Sequence, residues 1–370
     1  MSRYRFFFLI LVLSASFSTQ NSHAQIWKPG LGQLEVGITE FRAPSRVMLS
    51  PFLAYDAHRD AVWSGDISNN GSRLVEFSLR SHVYTVHALS GNAIPTHVVL
   101  DSKNTVWYLD PYGNMLGHYY PDNGSNNVYQ VPTTYESLGM ALDPSDNVWI
   151  ITTDSNHVLE FDSATQKFHS FNLPPTSTTP YAITLDKASG KIWIGESMEK
   201  MVSIEPQNQT ILEYDPKEIS TGYPVVVLAD PSTGKIYFSE HDLYDVKVLD
   251  PKDKDLTGYS VDFGGYPTGL AFDRYGHLWV SQHTLDKAAV IDTSTGRIRQ
   301  FDLPQGSLVQ WLTAGPNGNI LFLDYGSNSI GMITISSSDQ IPQIGHIIPM
   351  FYKILSMATR IFSSIINFPH

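Results

Sequence analysis

The chain of 370 residues contains no cysteine, which excludes a disulfide and a thiolate-bound zinc site, although it is silent on compartment. Charge is scarce as well, at 16% of residues, and the 24 Lys and Arg fall short of the 36 Asp and Glu to leave a formal net charge of −12. Binding nucleic acid requires clustered cations that release counterions from phosphate, and the body has no such cluster, so no nucleic-acid partner is expected. A G-x-S-x-G elbow, a Walker loop, a dinucleotide fingerprint and an H-E-x-x-H helix are also missing, which leaves those enzyme classes without support. What is present is aromatic: 12% of residues, including 7 Trp and 19 Tyr, a composition that suits a β-rich globular body.

Residues 1–24 read as a basic start, an apolar run through Phe6 to Phe17, and a polar stretch ending Ser22-His23-Ala24. This order predicts a secretory signal peptide and therefore a secreted or extracytoplasmic body. The alternative is an uncleaved anchor, but the run falls short of the ~20 residues that span a bilayer. Three N-x-[ST] sequons, at Asn70, Asn123 and Asn208, are compatible with export.

The body repeats. An apolar residue precedes an aromatic one at Val62-Trp63, Val106-Trp107, Val148-Trp149, Ile192-Trp193, Ile236-Tyr237 and Leu278-Trp279, with Ile320-Leu321 as a degenerate seventh, at spacings of 44, 42, 44, 44, 42 and 42. Ahead of each landmark stands Asp56, Asp101, Asp143, Asp186, Asp230, Asp273 or Gly315, followed by turn residues, so each unit begins with a hairpin. A third strand such as His157–Phe161 or Lys287–Ile291 and a fourth such as Phe168–Pro174 or Ile298–Pro304 complete four strands in about 43 residues, the content of one propeller blade. Seven units fill residues 36–338. The seventh lacks its fourth strand, and the orphan Ile38-Thr-Glu-Phe-Arg-Ala-Pro44 matches the missing piece. The expected fold is therefore all-β, a seven-bladed β-propeller over residues 25–338 closed by an N-terminal strand. A six-bladed ring with an irregular flap is the alternative.

Three positions after each landmark lie Asp66, Asp110, Thr152, Glu196, Glu240, Gln282 and Asp324. Equivalent positions ring the axis, so these carboxylates could hold a calcium or magnesium ion, with Glu196, Glu240 and Asp324 as metal ligands, or bind a ligand through Asp66, Asp110 and Gln282. The plainer reading is that a repeated residue does a repeated structural job, accepting backbone N–H groups at strand ends. The symmetry breaks at Glu240-His241 and Gln282-His283. His241 and His283 could there form a proton-transfer pair or ligate a metal, or be two surface histidines without a role.

The segments Tyr266-Pro-Thr-Gly-Leu-Ala-Phe-Asp-Arg-Tyr-Gly-His-Leu-Trp-Val280 and Ile38–Pro44 resemble the repeat of the virginiamycin B (streptogramin) lyase family of seven-bladed propellers, and the similarity covers nearly the whole mature body. The resemblance implies a magnesium-dependent opening of an ester-linked ring by elimination, using histidines that enter a blade and a nearby glutamate. At that histidine position this chain has Pro51, Thr96, Leu138, Tyr181, Val225, Thr268 and Gln310. The glutamate position holds Ile67, Pro111, Thr153, Ser197, His241, His283 and Tyr325. His97 is one residue out of register, which turns it to the other face of a strand. The lyase mechanism is thus not carried over. The expected role is a binding or interaction module for a small molecule or protein at the axial face, with a metal-dependent lyase or lactonase as the rival.

Residues 339–370 form a separate tail. Lys353, Ser356, Arg360, Ser363 and Asn367 recur every three or four positions within the apolar stretch 344–368, which predicts an amphipathic helix. Burying its two cations in a bilayer costs about 2.5–3.5 kcal/mol each, so contact with a membrane surface, or packing on the propeller rim, is favoured over spanning.

Overall fold

The structure, a computed structural model, describes residues 28–337 apart from 69–70, 154–156, 178, 198–199, 215–221, 223, 241–242 and 261–264. The expected signal peptide, the expected C-terminal helix, the Asn70 sequon and His241 lie outside the described residues.

Seven four-stranded antiparallel sheets form the ring. The first blade runs Leu49–Asp56, Ala61–Asp66, Arg73–Ser78, Tyr84–Ala88 from the axis outward, and the next five repeat that order. Every second strand carries a landmark and ends on the carboxylate column: Ala61–Asp66, Val106–Asp110, Val148–Thr152, Lys191–Glu196, Ile236–Glu240, Leu278–Gln282 and Ile320–Asp324. The seventh blade is completed by Leu34–Arg42, which pairs antiparallel with Ser329–Ser337 over nine residues, Ile38 opposite Ile333. Strand closure of this kind completes the last blade and fastens the two ends of the ring together.

Apolar side chains pack between adjacent sheets. Trp107, Leu109 and Leu116 of the second blade meet Met140, Ile150 and Phe161 of the third in one such layer. The five landmark tryptophans are all 2% exposed or less. Four of the aspartates ahead of them do two jobs at once. Asp143 accepts the backbone N–H of Ser145 (2.8 Å) and Asn147 (3.0 Å) through one oxygen and the indole N–H of Trp149 (3.2 Å) through the other. Asp56, Asp101 and Asp273 hold Trp63, Trp107 and Trp279 likewise, at 3.3, 3.3 and 3.0 Å. The turn and the core tryptophan are thereby fixed by one buried carboxylate. The left-handed position that closes each turn falls on Asp60, Asn104, Asp146, Gly190, Gly234, Gly276 or Asn317, residues that tolerate a positive φ.

Candidate functional site

Because the strands alternate in direction, each innermost strand begins where its neighbour ends, and both meet on one face of the ring. The carboxylate column lies there. Asp66 accepts the backbone N–H of Met48 (3.0 Å) and Ser68 (2.9 Å) and pairs with Arg73. Asp110 accepts from Ile94 (3.1 Å), Tyr112 (2.9 Å) and Gly113 (3.1 Å), and Asp324 from Leu308 (2.7 Å) and Gly326 (2.9 Å). Each of these buried carboxylates ties the loop entering its blade to the loop leaving the second strand. Glu196 and Glu240 are fully buried at the same column, and a side chain on Gly222 would collide with the Glu240 carboxylate. The Gln282 carbonyl oxygen accepts from Gln300 (3.2 Å).

The lyase resemblance implies magnesium, and three of the carboxylates in the column are poorly free to hold one. A hard cation collects six or more oxygen ligands, whereas Asp66, Asp110 and Asp324 already spend lone pairs on backbone amides. Among the described residues no three His, Asp or Glu side chains converge on a point that could hold an ion.

What opens on this face is a cavity of about 300 Å³ lined by Pro51, Phe52, Val225, Val226, Thr268, His283, Gln310 and Trp311. Its walls come from the innermost strands of the first, fifth, sixth and seventh blades. Four of the seven positions at which the lyase pattern expects histidine line it, as Pro51, Val225, Thr268 and Gln310. Among the described residues, His283 is the one predicted site residue that reaches the cavity; Asp66, Asp110, Glu196, Glu240, Gln282 and Asp324 do not line it.

Sequence reasoning missed Phe52 and Trp311. Phe52 reaches the cavity through a bulge. Where most innermost strands gain one residue over their partner at this end, the first blade gains two: Leu49 lies opposite Asp66 and Leu53 opposite Ser64. Buried hydroxyls pin the loop so formed, Ser50 donating to the Thr96 carbonyl (2.7 Å) and Ser64 to the Phe52 carbonyl (3.0 Å). Behind Phe52 stands His97, its ring stacked at 3.5 Å and its Nδ1 3.0 Å from the Thr96 hydroxyl. Burial pushes the His97 imidazole down to about 3, so it is neutral at physiological pH. The available signal was Trp311 itself, one of two tryptophans that stand off the landmark column.

At the rim, the Glu40 carboxyl of the closing strand lies close to the Asp324 carboxylate. Burial, and then the Asp324 carboxylate, push Glu40 up to about 7, while Asp324 is held below its usual range by the amides and hydroxyls around it, against the opposing effect of burial. The proton therefore sits on Glu40.

No protein-family model matches the chain, and no curated protein matches it by sequence. Solved structures do. A streptogramin B lyase is 14% identical with a TM-score of 0.72, covering 81% of this chain and 98% of that one. A catalytically inactive virginiamycin B lyase from Staphylococcus aureus with quinupristin is 17% identical with a TM-score of 0.71, covering 81% and 99%. Hydrazine synthase of Kuenenia stuttgartiensis is 11% identical with a TM-score of 0.66, covering 80% and 97%. The likeness to the lyases is one of fold, and the third structure illustrates that this fold serves unrelated functions.

Proposed function

We propose that this propeller is an exported binding module whose axial cavity takes a small, mainly apolar ligand and performs no lyase chemistry on it. The observation that carries the reading is the cavity wall. Elimination needs a base within hydrogen-bond reach of the substrate; the four cavity positions at which the lyase pattern expects histidine are Pro51, Val225, Thr268 and Gln310, which leaves His283 as the one ionisable side chain among the described lining residues. A concave apolar surface with a few polar groups is what small-molecule recognition requires. Export rests on the character of residues 1–24, and the amphipathic stretch 344–368 would hold the module at a membrane surface.

The test is titration of the protein with the neutral dye prodan, whose emission shifts blue in an apolar site. Saturable one-to-one binding is expected, and Val225→Arg, which fills the cavity with a charged side chain, should abolish it. Unsaturable binding, or binding unchanged in that variant, overturns the reading. The rival lyase or lactonase, working with His241, His283, Glu196 and Glu240 around calcium or magnesium, predicts instead a saturable calorimetric heat with either ion, lost in Glu240→Gln and His283→Ala, together with opening of cyclic esters.

A further inference from the structure

The cavity has an aromatic corner. Phe52 and Trp311 meet edge to face, ring centroids 4.8 Å apart and planes inclined at 65°. Phe52 cannot rotate freely, because one of its faces is covered by the His97 ring. Its backbone is held by the Ser64 hydroxyl. The corner therefore presents two fixed, nearly perpendicular ring systems to the cavity, and the neutral imidazole behind Phe52 puts no charge beneath it. Beside the corner is Gln310, whose carboxamide makes no hydrogen bond to any described residue although the side chain is half-buried. Val225 and Val226 form an apolar wall.

We infer that the ligand carries a flat aromatic ring bearing a carboxamide or similar carbonyl group, the ring entering the Phe52–Trp311 corner and the polar edge pairing with Gln310. A planar ring can stack on one wall while its positive edge meets the negative face of the other, which is the arrangement aromatic groups prefer. A saturated ring of the same size buries similar area but has neither the flat face nor the polarised edge. A primary carboxamide offers donors and an acceptor in the complementary geometry to a Gln side chain. The two-residue bulge supplies the specificity, since a strand with one extra residue fewer would not carry Phe52 to this place.

This inference rests on the cavity being a ligand site, and the experiment separates the two. The full chain is titrated with benzamide, cyclohexanecarboxamide and ethylbenzene, followed by saturation-transfer NMR and calorimetry. Benzamide should bind about threefold to tenfold more tightly than its saturated analogue and more tightly than ethylbenzene. Phe52→Leu should erase the preference for the aromatic ring, and Gln310→Leu the preference for the amide, each leaving the melting transition in place. Equal affinity for benzamide and cyclohexanecarboxamide overturns the aromatic corner while leaving an apolar site. Absence of binding by all three overturns the ligand site itself.

Discussion

The two faces of the ring are built from the same repeat and differ in what they leave uncovered. Of the twelve large apolar side chains exposed among the described residues, eight lie on the cavity face: Met48, Tyr112, Tyr135, Tyr181, Leu243, Tyr244, Leu308 and Tyr325. The opposite face has only Val83, and the other three sit on outermost strands. On the opposite face the turn between the first and second strands of six blades is organised by a buried aspartate. On the cavity face four cations are taken up in Arg73–Asp66, Lys200–Glu213, Lys247–Asp245 and Lys287–Asp302 pairs, while Arg42 and Arg46 stay exposed. Exposed aromatic side chains are the residue type enriched at recognition surfaces in general. One face holds the blades; the other is free to vary.

The division can be attacked from its stable side first. Trp279→Ala removes a fully buried ring from between two blades and should cost about 3–5 kcal/mol in denaturant unfolding, while the cavity, lined by other strands apart from His283 just past the end of this one, keeps its affinity for dye. Asp143→Ala leaves the Trp149 indole and two turn amides without their acceptor and should cost about 1–3 kcal/mol, again with dye binding intact. A loss of binding in either variant would break the separation of roles.

Glu40 tests the reverse case, stability residing on the cavity face. Its folded value of about 7 exceeds the ordinary 4.5, so the folded state keeps a proton that the unfolded chain has released. Its contribution is complete below pH 4.5 and is lost as pH rises through 7. The melting temperature should fall between pH 5 and 8, and Glu40→Gln, which cannot ionise, should flatten that fall. The smallest stability effect is expected at the rim. Tyr181→Ser and Tyr325→Ser should each change stability by no more than about 0.5 kcal/mol, because neither ring is buried. A large destabilisation there would show that the cavity face is structural after all.

Much of the ring was legible because its signals are periodic. The landmark column, the hairpin turns and the orphan strand around Ile38 each report a local rule that the blades obey in register, and Ile38 does pair in the seventh blade. The aspartate column was read as turn chemistry, but its grip on the indole N–H was not, since the side chain six or seven residues on returns to it only once the hairpin has formed. The carboxylates at Asp66, Asp110 and Asp324 follow the plainer of the two sequence readings, tying loops. The cavity was hidden for a different reason. Its walls come from four blades remote in sequence, and its aromatic corner depends on a bulge at Ser50–Phe52 that leaves the apolar alternation without any mark of where the extra residues lie. Repetition encodes a scaffold in sequence; a departure from repetition encodes a site, and it shows only when the chain is folded.

The closing strand has a consequence in time. Gly37 and the Thr334 that bonds to it are 297 residues apart, so the first strand to emerge during synthesis waits for nearly the last before it finds its partner. Six blades can assemble in sequence as they are made, but the seventh cannot begin to pair across the seam until almost the whole chain is present. Closure is then the slow, non-local event of folding, and until it occurs the growing arc carries an open edge at each end.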